Sequence, residues 1–155
     1  MQIIIKKKGA QINTISYKRD EQLDYWQEAN DFLVMHDLSH YAIETTLNFT
    51  TAFWGMVKGG INPLEFENKE TRDRLILTKE AWYAETLANL FLFEHSQGKF
   101  EDFNAVFEES LKQTNPEILP LKLNDLDIEK IRKAYENLLS QWRCLQINET
   151  LVLEY

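Results

Sequence analysis

Cysteine is nearly missing from this chain: Cys144 stands alone, so no internal disulfide can form and a disulfide-built scaffold is excluded. Three prolines and five glycines are too few for a collagen-like or low-complexity chain. No apolar run approaches the roughly 18 residues of a membrane-crossing helix, so no membrane partner is expected. Positive charge is in deficit, with 17 Lys and Arg against 25 Asp and Glu and a net charge of −8. That field repels a phosphate backbone, and nucleic acid is not expected as a partner. The one basic cluster, Lys6, Lys7 and Lys8 with Lys18 and Arg19 nearby, reads as solvated lysines on an edge strand. The first residues show no charged-then-apolar order and no small-residue cleavage site, so no signal peptide is expected, and a cytoplasmic location follows by default.

What is present is the material of a globular core. Hydrophobic residues make up 44% of the 155, and four Trp, six Tyr and nine Phe supply large side chains. The length suits one domain, 1–155, without an internal linker or repeat. Ile3-Ile4-Ile5 and the alternation through Ile12, Thr14 and Ser16 predict strands over 2–8 and 11–18, joined by a tight turn at Gly9-Ala10. Residues 145–155 read as extended, so a C-terminal strand can pair with this hairpin.

The middle reads as helical. Phe32-Leu33-Val34-Met35 is too short to classify by period. Residues 37–47 fit a helix with Asp37 as N-cap, and a start at Asn30-Asp31 is the alternative. Thr50 or Thr51 can cap a short helix through Phe53, Trp54, Met56 and Val57, stopped by Gly59-Gly60. A long, largely apolar helix is predicted from Thr71 to Ser96, another from Phe100 to Gln113, and a last one to Trp142 capped by Asn124 or Asp127. Cys144, at its end, reads as a buried structural thiol. The expected fold is α+β: a small antiparallel sheet, N-terminal hairpin plus C-terminal strand, packed on a bundle of four to five helices.

Two of the three histidines, His36 and His40, fall four apart, and Glu44 follows at the same step. On a helix that spacing sets two imidazoles and a carboxylate along one face, which also carries Ile43 and Leu47. Such a set can hold one divalent ion, zinc, nickel or manganese, with Glu44 as third ligand or as orienter of a histidine. The spacing resembles the zincin His-Glu-x-x-His helix, but Asp37 is one methylene shorter than the glutamate that acts there as base. Asp37 is assigned instead to capping or to supporting a ligand. Satisfied polar residues inside a helical core would carry the same pattern. A further ligand could come from Glu85, set among apolar neighbours between Thr78 and Asn89, a stripe that also reads as a solvent face. Tyr41 and Trp54 are further candidates for the site's surroundings. His95 suits the C-terminal dipole of its helix better than a metal.

His36-Asp37-Leu38-Ser39-His40 with Glu44, followed by Phe53-Trp54-Gly55, resembles a family of small uncharacterised bacterial proteins. That family carries a short strand pair, a His-Asp-Leu-x-His-x-x-x-Glu segment, Phe-Trp-Gly, and a C-terminal strand after a Trp. The resemblance implies that residues 36–55 are the functional region and implies no activity. Two functions follow from the residues. One is a divalent-metal site, extending to a small metal-dependent hydrolase. The other is a non-enzymatic interaction or structural module, self-associating or binding a protein partner, in which the same residues are buried hydrogen-bonding groups. Neither identifies a small-molecule ligand.

Overall fold

The computed structural model describes residues 1–9, 12–20, 22–67, 69–72 and 74–155, without the side chains of Gln22, Asp24, Glu67, Lys69 and Arg72. The turn expected at Gly9-Ala10 runs onto Ala10 and Gln11, outside the described residues.

Four antiparallel strands form one sheet: β1 (Gln2–Lys7), β2 (Asn13–Arg19), β3 (Gln22–Ala29) and β4 (Thr150–Glu154), in the order β3-β2-β1-β4. The register sets Ile3 opposite Tyr17 and Leu153, and Ile5 opposite Ile15 and Leu151. All six are buried, so the period-two pattern puts one continuous apolar face against the helices. The α+β expectation holds, with an added strand. β3 was not expected: half of its residues are polar, and it occupies an edge, where one side of the ladder stays open and Leu23 and Trp26 are exposed. β1 lies inside the sheet, so Lys6 and Lys7 are not edge lysines. Lys7 instead reaches over the sheet to the Trp142 carbonyl at 3.3 Å and lies on the Trp142 ring.

The helical layer consists of α1 (Asp31–Leu47), α2 (Phe53–Lys58), the single turns α3 (Leu64–Glu67) and α4 (Lys69–Arg72), then α5 (Lys79–Gln97), α6 (Phe103–Thr114) and α7 (Asp125–Cys144). Among the described residues no helix is long and apolar enough to cross a membrane. Val34, Leu38 and Ala42 recur every fourth residue and are fully buried, which runs α1 through the centre between the sheet, α7, α5 and α2.

The helix starts correct several expectations. Asn30 caps α1, its side chain accepting from the Leu33 amide at 2.8 Å. Asp37 therefore lies in the second turn of the helix, buried, and caps nothing. Ala52, not a threonine, precedes α2 and offers no side-chain cap. The amides of Thr50 and Thr51 and the Thr51 hydroxyl are taken by Glu80 of α5, at 2.7–2.9 Å. Helix α5 starts at Lys79, not near Thr71, because the Thr78 hydroxyl accepts from the Ala81 amide. Residues 75–77 before it alternate instead, with Leu75 and Leu77 partly buried and Ile76 94% exposed. Asp102 and Asn124 cap α6 and α7. Cys144 is exposed, not buried. It lies two residues past the buried Trp142, about 200° around the helix and so on its outer side.

Candidate metal centre

Because α1 is enclosed along one side, four of its polar residues are trapped inside the protein. His40 is 3% exposed and Glu44 fully buried, and Asp37 and Ser39 are buried with them. Unpaired charges in such surroundings are costly, so their partners define the site. The two imidazoles lie together, ring centres 4.7 Å apart, and His40 rests on the Phe53 ring at 5.3 Å.

Both rings are turned in the same sense. His36 turns Nδ1 toward the Asp37 carboxylate, 3.8 Å away, and Nε2 toward Glu85 Oε1, 3.7 Å away. His40 turns Nδ1 toward Glu44 Oε1 at 3.4 Å, off hydrogen-bond alignment, and Nε2 toward Glu85 Oε2 at 3.2 Å. Each histidine thus has a buried carboxylate of its own helix behind it and the two oxygens of one α5 carboxylate in front. His36, His40 and Glu85 each offer a ligand atom, and no two of these atoms are more than 4.8 Å apart.

Glu85 is reached from outside. Its side chain is 55% exposed, and Asn89, one turn on, donates to its Oε1 at 3.0 Å. The stripe of Thr78, Glu85 and Asn89 is therefore divided: Thr78 caps α5, Glu85 faces the histidines, and Asn89 supports Glu85.

Glu44 does not join the ligand atoms. Its carboxylate accepts from the Trp54 amide at 3.0 Å and the Gly55 amide at 3.3 Å, so it caps α2 from a neighbouring helix. The Tyr155 hydroxyl donates to it as well, at 2.9 Å. Burial and the Glu44 charge push the Tyr155 pKa far upward, so that phenol stays a donor. The place expected of Glu44 in front of the rings is taken by Glu85, and Glu44 keeps the supporting place behind His40. Asp37 holds the corresponding place behind His36. Gly55 permits this arrangement: a Cβ there would collide with the Thr50 carbonyl, so only glycine lets α2 approach closely enough to present its amides.

Tyr41 points elsewhere, donating to the Glu154 carbonyl at 2.8 Å. Trp54 is buried beside the site, its indole donating to the Asp37 carbonyl at 3.2 Å and its ring packed on Phe53. His95 sits in the last turn of α5, facing the Arg143 guanidinium at 2.6 Å, away from the cluster.

The electrostatics follow from this enclosure. Burial by itself lowers the His40 pKa, but Glu44 and Glu85 outweigh it and raise it to about 10. Burial likewise opposes the charge on His36, and Asp37 and Glu85 overcome it, with some repulsion from His40, for a net rise. Burial pushes Glu85 upward, yet the two histidines hold it well below the usual carboxylate range. Three carboxylates around two rings make a site that attracts positive charge. A dication replacing two imidazole protons would leave the local charge unchanged.

Beside the cluster opens a cavity of about 680 Å³, within the size range of small-molecule sites. His40 and Glu85 form its polar end. Its walls come from Phe53 and Met56 of α2, Phe66 of α3, Leu75 and Leu77 of the segment before α5, and Trp82 of α5. The cavity was not legible in the sequence, since its walls come from four stretches that meet only in the fold. No family model matches this chain, and no curated protein and no solved structure matches it either.

Proposed function

We propose that this protein binds one divalent metal ion through His36 Nε2, His40 Nε2 and Glu85, and that it works as a small metal-dependent hydrolase on a molecule held in the adjoining cavity. The observation that carries the reading is the matched orientation of the two rings. Metal-bound histidines commonly turn their second nitrogen to a carboxylate, which fixes the tautomer and strengthens the ligand. Asp37 and Glu44 stand at those positions, and Glu85 stands where two Nε2 atoms converge.

Distances support it. Donor atoms of a tetrahedral zinc site lie about 3.3 Å apart. The two Glu85 oxygens lie 3.7 Å from His36 Nε2 and 3.2 Å from His40 Nε2. Even the widest separation, under 4.8 Å, needs to close by only about 1.5 Å to reach that edge. Two histidines and one glutamate are a donor set of catalytic zinc sites, which keep a fourth position open. Here His40 and Glu85 lie at the cavity, so an open position would face it. Bound there, a divalent ion supplies a water of lowered pKa and a Lewis acid. The chain's own part is to orient the rings through Asp37 and Glu44 and to exclude bulk water with the apolar walls.

One observation favours a second reading, in which the protein is a structural or interaction module without turnover. An imidazolium between Glu44 and Glu85 is already a compensated buried charge, and the fold needs no metal to satisfy it. Calorimetric titration of tag-free, metal-stripped protein with zinc, manganese and nickel separates the two. The metal reading expects one site per chain, a higher Tm on loading, and loss of that site in Glu85→Gln and His36→Ala. A protein that takes up none of the three ions, with an unchanged Tm, leaves the second reading.

A further inference from the structure

Resting on the metal reading above, we infer that the ligand of this cavity is a single-headed apolar carboxylate or the acyl compound that yields it, with an alkyl or aromatic body and no second charge. The wall chemistry carries the inference. Apart from His40 and Glu85, every described residue lining the cavity is apolar. Among the described residues no Lys or Arg lines it, so none of them can pair with a phosphate or a second carboxylate at its far side. Among the described residues no Ser, Thr, Asn or Gln lines it either, so beyond His40 and Glu85 they offer no hydrogen-bonding side chain to read the hydroxyls of a sugar. A ligand with polar groups along its length would bury them without partners, at a cost that an apolar body avoids. The aromatic faces of Phe53, Phe66 and Trp82 suit flat or flexible hydrocarbon alike.

The polar residues among the described lining, His40 and Glu85, sit together at one end, and the ligand's head lies there. In the metal-free protein Glu85 repels an anion there. With a divalent ion bound, the same end receives a carboxylate oxygen. The head and the ion therefore arrive as a pair, and carboxylate binding should depend on metal. Hydrolysis of an apolar acyl ester in this place is balanced by water alone: the water oxygen bonds to the acyl carbon, the acyl–oxygen bond breaks, and one water proton passes to the departing alcohol. The apolar carboxylate is the acid product of that reaction.

The test is a calorimetric series of butanoate, hexanoate and octanoate, with the eight-carbon dicarboxylate suberate as control, on zinc-loaded and metal-free full-length protein. Each buried methylene should tighten binding about fourfold, so octanoate should bind roughly two hundredfold more tightly than butanoate. Suberate should bind far more weakly than octanoate, because no described residue at the far side of the cavity can pair its second charge. Leu77→Gln, on the irregular segment before α5, should abolish the chain-length dependence while zinc still binds at one site per chain. Thermal melts confirm that this variant is folded, and Trp82→Phe, which should keep the series intact, serves as the mild control. If zinc binds but affinity is flat along the series, or suberate matches octanoate, the inference is overturned while the metal site stands. If octanoate binds equally well without zinc, the assignment of its head to the metal is overturned. If no zinc binds, both fall together.

Discussion

Replacing Glu44 by glutamine probes how the site is held, because the change keeps the shape of the side chain and reverses the sense of one contact. Glu44 Oε2 accepts from the Trp54 and Gly55 amides and from Tyr155, while Oε1 lies 3.4 Å from His40 Nδ1. In Glu44→Gln only one oxygen remains, and the amides at the start of α2 claim it. The new NH₂ must then face His40 and donate to Nδ1. That moves the ring proton to Nε2, the atom that would bind metal. Zinc affinity should fall about 10- to 100-fold, the usual cost of losing the carboxylate behind a metal-bound histidine. Stability without metal should fall by roughly 2–4 kcal/mol, since a buried ion pair is broken and charge-assisted bonds to buried amides become neutral ones. Calorimetry reads the affinity, urea unfolding the stability, and nitrogen chemical shifts of the His40 ring the tautomer. Tyr155→Phe is the comparison: it removes one donor to Glu44 but keeps the charge, and should cost about 1 kcal/mol with zinc affinity nearly unchanged. A Glu44→Gln protein that binds zinc like the parent, with the ring proton still on Nδ1, would refute the reasoning.

Three further outcomes are expected. In metal-free protein, His40 is raised from 6.5 to about 10, so its stabilisation is fully present below pH 6.5 and is lost as pH rises toward 10, at up to about 1.4 kcal/mol per pH unit. Glu85, lowered by the same contacts, contributes above its ordinary pKa near 4.5 and loses that contribution as the solution is acidified below it. Urea midpoints from pH 4 to 10 should therefore peak between about 4.5 and 6.5, and a flat profile from 6.5 to 10 would contradict the ion-paired histidine. Gly55→Ala should destabilise by about 3 kcal/mol or more, read from thermal melts, because the added Cβ meets the Thr50 backbone rather than a side chain that can move. Cys144 should react stoichiometrically with a thiol reagent in the native protein, and protection until unfolding would show that the outer side of α7 is covered.

The pairing of His36 with His40 was legible because both lie on one helix, where spacing in sequence is spacing in space. Glu85 was legible only as a polar interruption in an apolar helix; its partners are more than forty residues away, and no local pattern joins them. The part taken by Glu44 was hidden for the same reason, since its donors come from residues 54, 55 and 155. Asp37 looked like a cap because aspartate favours that position, but the apolar run before it continues the period of Val34, Leu38 and Ala42 and carries α1 back to Asn30. Strands β1 and β2 were readable from the run Ile3-Ile4-Ile5 and the alternation that follows, although Ile12 is exposed and precedes β2. Strand β3 was not, because half of its residues are polar and it lies at an edge, where Leu23 and Trp26 stay exposed.

The most direct measurement is an anomalous difference map at the zinc edge, from crystals of tag-free protein grown with zinc. The account predicts one strong peak per chain, about 2.0–2.1 Å from both His36 Nε2 and His40 Nε2 and about 2.0–2.2 Å from a Glu85 oxygen, with Asp37 and Glu44 still behind the rings. A map with peaks only at surface carboxylates, and His40 Nε2 still paired directly to Glu85, would contradict it.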